Sequence, residues 1–125
     1  MAPAAGRVKN LNMPGKLSTH VLDLTLGQPA AGMKIELFRR GEKIPFKTVV
    51  TNSDGRSPGP LLGEAELNGG SYELVFHVRE YFAARDVACP FLDRVPVCFT
   101  VADSEASYHV PLLVTPWSYS TYRGS

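Results

Sequence analysis

Short runs of alternating apolar and polar residues, broken by glycine and proline, fill most of the chain. Leu17–Thr25 is rich in β-branched and apolar residues and predicts a first strand. After the turn Gly27-Gln28-Pro29-Ala30-Ala31-Gly32, the segment Met33–Arg40 sets Met33, Ile35 and Leu37 against Lys34, Glu36 and Phe38. That period of two marks a strand with one face mostly buried. Phe46–Thr51 predicts a third strand, running into Asn52-Ser53-Asp54-Gly55, where Asp-Gly is a strong turn signal. A short apolar strand is expected around Leu61 and Leu62. Tyr72–Val78 places Tyr72, Leu74, Phe76 and Val78 on one side and Glu73, Val75 and His77 on the other, so His77 is expected at solvent or a subunit contact. Val95, Val97, Phe99 and Val101 share a face in the same way. Only Glu80–Val87 reads as helical, roughly two turns long at about 3.6 residues per turn. A final hairpin, punctuated by Pro116, carries an apolar strand at Leu112–Val114 and an aromatic, hydroxyl-rich strand toward the C-terminus.

Seven to eight short strands at regular spacing, with turn residues between them, predict an all-β antiparallel sandwich with one short helix. At 125 residues the chain forms one domain with room for a core that needs no metal or disulfide network. Residues 1–15 read as a flexible lead-in and 16–125 as the folded domain. Thirteen Lys and Arg against twelve Asp and Glu, interspersed, leave no electrostatic footprint for nucleic acid or a membrane surface. No apolar run reaches transmembrane length, and the N-terminal stretch lacks the apolar core of a secretory signal. Cys89 and Cys98 are too few for a disulfide scaffold, and Cys98 is expected to pack in its strand as a small hydrophobe. The expected location is the cytoplasm.

The chemistry centres on histidine. His20 shares a strand face with Ser18, Leu22 and Leu24, while His109 opens the last hairpin beside Pro111 and Leu113. Taken singly, a histidine in a strand is more often a partly buried, hydrogen-bonded residue than a catalyst. Arg56 follows the Asp54-Gly55 turn, a position where a rigid scaffold can present a fork of donors to a planar anion or amide, though an arginine on a turn is usually just solvated. His-x-His, Cys-x-x-Cys and His-Glu-x-x-His spacings are absent, as is Gly-x-Ser-x-Gly, so neither a metal nor a serine nucleophile is expected. The end of the chain is the unusual feature. Chain termini are commonly frayed, yet this one closes on Tyr122-Arg123-Gly124-Ser125.

Three segments together resemble the transthyretin-like 5-hydroxyisourate hydrolase family. They are Leu17-Ser18-Thr19-His20-Val21-Leu22-Asp23 with Gly27–Gly32, Thr51-Asn52-Ser53-Asp54-Gly55-Arg56, and Tyr108-His109-Val110-Pro111-Leu112-Leu113 leading to the terminal Tyr-Arg-Gly-Ser. The resemblance spans Lys16 to Ser125, and the terminal tetrapeptide is its most specific part, separating the hydrolases from the thyroxine carriers. Departures are confined to loops, where Val87–Asp93 is shorter than in many members. The resemblance implies a transthyretin-like (prealbumin-like) sandwich, a homotetramer with active sites at subunit interfaces, and hydrolytic opening of a small oxidised purine without a cofactor or metal. It implies catalytic roles for His20, Arg56, His109 and Ser125, with His20, Arg56 and Tyr122 binding substrate. On this reading His20 and His109 form the acid–base system, Arg56 stabilises developing negative charge, and Tyr122 and Ser125 hydrogen-bond the substrate or the water. The competing expectation is a small-ligand carrier on the same fold, and a third is a structural or adhesion sandwich.

Overall fold

The computed structural model describes residues 15–63 and 66–124. Among these residues eight strands, β1 (Leu17–Asp23), β2 (Gln28–Pro29), β3 (Lys34–Arg39), β4 (Lys47–Val50), β5 (Gly70–His77), β6 (Arg94–Val101), β7 (Tyr108–Val114) and β8 (Tyr119–Thr121), accompany one helix, α1 (Val78–Ala83). They form two four-stranded sheets, ordered β2-β1-β7-β8 and β4-β3-β5-β6. The alternation read from the sequence decides what lies between them. Leu17 and Val21 from β1, Ile35 and Leu37 from β3, Tyr72, Leu74 and Phe76 from β5, and Val110, Leu112 and Val114 from β7 all point into the core. Burying a side chain of this size contributes about 1.5–3 kcal/mol each before conformational entropy is counted.

Two buried polar groups anchor β1, Thr19 to β7 in its own sheet and Asp23 to α1. Thr19 Oγ1 donates to the Val110 carbonyl at 2.7 Å. Asp23 is 1% exposed, so its carboxylate must be satisfied internally. It accepts from the Thr25 and Leu26 amides at 2.8 and 3.2 Å and from the Tyr81 hydroxyl at 2.8 Å. Burial first, then the bond and charge of Asp23, push the Tyr81 pKa up to about 12. This knot fixes the end of β1 and docks α1 against it.

The structure departs from the sequence reading in specific places. The sandwich is not wholly antiparallel: β1 and β7 run parallel, with Ser18 opposite His109 and His20 opposite Pro111. Ser18 and His109 are 91 residues apart, far more than the dozen or so residues that a parallel crossover needs at the least. Leu61 and Leu62 form no strand; Leu62 makes a single bridge to Leu17, and both leucines are buried. Gln28 and Pro29, expected within a turn, pair with Asp23 and Leu22. The helix begins at Val78 and ends earlier than expected, with Asp86 at a φ of 58° stopping it. Cys98 is exposed rather than packed, because Val95, Val97 and Val101 of β6 face the core and leave Cys98 on the other side. Both cysteines are free. His77 is buried, not solvent-facing, since α1 starts at the next residue and folds Glu80 against it. Gly15 is buried as well, and residues 1–14 of the expected lead-in lie outside the described residues. Among the described residues no helix is long and apolar enough to cross a membrane.

Candidate active site

The site grows from the outward face of β1. Its inward positions are Leu17, Thr19, Val21 and Asp23, which leaves Ser18, His20 and Leu22 half-buried on the outside. On one flank, the Asn52–Arg56 turn is pinned to this strand. Asn52 Oδ1 accepts from the amides of Asp54 and Arg56 at 2.9 and 3.2 Å, and the Val21 amide donates to the Gly55 carbonyl at 2.8 Å. Gly55 has a φ of +76°, and a Cβ there would lie 2.4 Å from the Val21 carbonyl oxygen. Only glycine permits both the left-handed conformation and that approach. The consequence is an antiparallel backbone bridge that sets Arg56 opposite His20.

On the other flank lies β7. Parallel pairing sets His109 beside Ser18, and Ser18 Oγ meets His109 Nδ1 at 2.8 Å. Beyond β7 the chain end continues the β8 register. Leu112 pairs with Thr121 and His109 bridges Gly124, so Pro111 stands opposite Tyr122. The Gly124 amide donates to the His109 carbonyl at 2.7 Å. A Cβ on Gly124 would sit 2.5 Å from His109 Cδ2, so the imidazole lies directly against this glycine.

Beside these strands opens a cleft of about 520 Å³, lined by Lys16, Ser18, Arg56, Ser57 and His109 among others. That size suits a small ligand. Its lining holds two cations and no carboxylate among the described residues. The Arg56 guanidinium is exposed and makes no bond within the described residues. Burial lowers the His109 pKa below the ordinary histidine value, and the positive charges of Arg56 and His20 lower it further. His109 is therefore held neutral near pH 7, with a lone pair available. A neutral imidazole beside an unpaired guanidinium can take a proton from water while the guanidinium meets a developing oxyanion. Among the described residues no group of three or more His, Cys, Asp or Glu side chains is gathered to hold a metal ion.

Of the residues singled out in the sequence, His20, Arg56 and His109 come together within one chain. His20 does not line the cleft itself; it stands next to Arg56, near enough for its charge to act on His109. Tyr122 is 60% exposed and borders the groove between β6 and β8 rather than the cleft. Ser125 lies outside the described residues. Arg123 turns to the other face, its guanidinium 4.3 Å from the Tyr108 ring centroid. Sequence reasoning missed Gly124 and the contact between Ser18 and His109. Ser18 was visible as a neighbour of His20 on one strand face, but the strand that brings His109 to it lies 91 residues on.

An eight-stranded sandwich with a histidine–arginine cleft on the outer face of one sheet defines a transthyretin-like domain equipped for polar chemistry. The chain belongs to the HIUase/Transthyretin family, whose model matches residues 17–124. It is 51% identical to 5-hydroxyisourate hydrolase 2 of Rhizobium meliloti (strain 1021) over 92% of this chain and 100% of that protein. It is similar in structure to 5-hydroxyisourate hydrolase of Klebsiella pneumoniae, with 35% identity, a TM-score of 0.75, and coverage of 89% of this chain and 94% of that one. It also resembles (S)-allantoin synthase at 45% identity and a TM-score of 0.84, covering 90% of this chain but only 44% of that longer one.

Proposed function

We propose that this protein hydrolyses 5-hydroxyisourate, opening a ring amide of that oxidised purine to a ureidoimidazoline carboxylate. The observation that carries the reading is the neutral, Ser18-held His109 in a cation-lined cleft with Arg56, found in a chain about half identical to a hydrolase of that name. In the reaction, water adds to the ring carbonyl carbon as the histidine system takes one of its protons. Negative charge grows on the carbonyl oxygen, where the Arg56 fork meets it; losing such a donor costs about 3 kcal/mol of transition-state stabilisation. The carbon–nitrogen bond then breaks, that proton passes to the leaving nitrogen, and the carbonyl carbon ends as a carboxylic acid that releases water's second proton to solvent, both ends remaining in one ring-opened product. No electrons are exchanged and no cofactor is required. Tyr122 and Ser125 complete the site by hydrogen-bonding substrate or water.

The working form on this reading is a cytoplasmic homotetramer with its active sites at subunit interfaces. Supporting it, Trp117 and Tyr122 are 63% and 60% exposed, and β6 and β8 are both sheet edges. Unpaired edges and exposed aromatics are features that proteins commonly cover by association. Freshly generated 5-hydroxyisourate tests the proposal. Its ultraviolet absorbance should decay far faster with the protein than without it, and an unchanged decay rate would leave ligand carriage as the better account of the cleft.

A further inference from the structure

We infer that Ser18 is a positioning residue: its hydroxyl accepts the Nδ1 proton of His109, fixing the tautomer in which Nε2 is the bare nitrogen that serves as base. The effect on rate rests on the hydrolase reading above, whereas the tautomer rests on the ring's contacts and the charges around it.

The ring orientation comes first. Ser18 Oγ lies 2.8 Å from Nδ1 and has no other partner among the described residues. On the opposite edge of the ring, Gly124 presses against Cδ2, with space for no atom beyond its Cα. A ring turned over about its axis would place a carbon against Ser18 Oγ and lose that hydrogen bond, which is worth about 1 kcal/mol. With Nδ1 held, Nε2 is the one ring nitrogen left for chemistry, and among the described residues it has no partner.

The proton's position follows from charge. A serine hydroxyl can donate or accept, so the bond length alone does not choose. The groups around His109 do. Among the described residues, Arg56 on the Asn52–Arg56 turn and His20 on β1 act on the ring, Lys16 just before β1 lines the same cleft, and none is a carboxylate. A neutral imidazole in a field of cations lowers its energy by presenting a lone pair to them and its N–H to a neutral oxygen. Ser18 Oγ is that oxygen. Such an outer partner sets both which nitrogen carries the proton and how the ring is aimed.

The test uses the full-length protein labelled with ¹⁵N, together with Ser18→Ala and Ser18→Thr. At neutral pH the His109 ring nitrogens should show the proton on Nδ1; a proton on Nε2 overturns the inference. Ser18→Ala should lower kcat about tenfold with little change in KM, the scale seen when an outer-shell partner is removed, and Ser18→Thr should restore it. The acid limb of the kcat/KM profile should also move to lower pH in Ser18→Ala, because an accepting oxygen favours the doubly protonated ring most. A limb that moves to higher pH means that Ser18 donates, and an unmoved limb with unchanged kcat means that it does nothing; either result overturns the inference. If the wild-type protein fails to accelerate 5-hydroxyisourate decay, the hydrolase reading falls, while the nitrogen spectra still decide the role of Ser18.

Discussion

His77 closes β5 in one sheet and His109 stands second in β7 of the other, and their rings are engaged in opposite ways. His77 Nε2 meets Glu36 Oε1 at 2.6 Å and its Nδ1 meets Glu80 Oε2 at 3.3 Å, so both nitrogens have carboxylate partners. It is 6% exposed, and no cavity reaches it among those described. Among the described residues, His109 has a neutral hydroxyl on one nitrogen, no partner on the other, and no carboxylate in the cleft it lines. Two anions consume the first ring; a cation-lined cleft keeps the second one poised. Burial alone does not separate a structural histidine from a reactive one. The sign of the surrounding charge and an unused nitrogen do.

The sharpest way to break this contrast is to remove the free nitrogen. His109→Asn keeps a polar side chain in the strand but has no basic ring, and a positioned general base is worth about 10²-fold to 10⁴-fold. Turnover of 5-hydroxyisourate should fall by that range while circular dichroism and the elution volume stay as in the wild type. Near-normal turnover would move the base elsewhere.

Next in size is Gly124→Ala. Its new Cβ would lie 2.5 Å from His109 Cδ2, a separation that cannot persist, so either the ring or the chain end must shift. Displacing a reacting group by an ångström can cost about 10²-fold. We expect kcat to fall by about tenfold to 10²-fold with a small loss of stability. A fully active variant would show that the imidazole tolerates a different seat.

These two predictions mark where the sequence was informative and where it was not. The strand alternation was legible because a period of two is a local property: Met33, Ile35 and Leu37 face the core as their spacing implies. The convergence of His20, Arg56 and His109 was not readable from spacing, since parallel pairing of β1 with β7 is a long-range event. Resemblance supplied it. The Gly124 contact was hidden for the same reason, for a terminal glycine looks like any other until the ring above it is seen. His77 was misread because alternation assigns a strand residue to a face but cannot say what covers that face, here the first turn of α1.

His77→Gln examines the other half of the comparison. It disrupts the pair with Glu36, whose side chain is only 17% exposed. A largely buried group that loses its partner costs about 1–3 kcal/mol. The midpoint of urea unfolding should therefore fall, while kcat and KM per folded molecule stay unchanged. A selective loss of kcat would tie His77 to the reaction and erase the distinction drawn between the two rings.

The gentlest perturbation is the titration of His109 itself. Its pKa is lowered first by burial, then by Arg56 and His20, so nuclear magnetic resonance should place its midpoint below the ordinary value of about 6.5. Its base form then persists into mildly acid solution, and the acid limb of kcat/KM should lie below pH 6.5 as well. The effect on stability has the same origin. As pH falls through the unfolded value, the unfolded chain takes up a proton that folded His109 still refuses, so this residue's contribution to stability declines from there until the folded midpoint is reached. Arg56→Gln removes one of the two nearby charges and should raise the His109 midpoint, with a smaller rise for His20→Asn, because burial remains in both. An unmoved midpoint in Arg56→Gln would mean that the guanidinium does not act on the ring, and the cation-lined cleft would then not be what distinguishes His109 from His77.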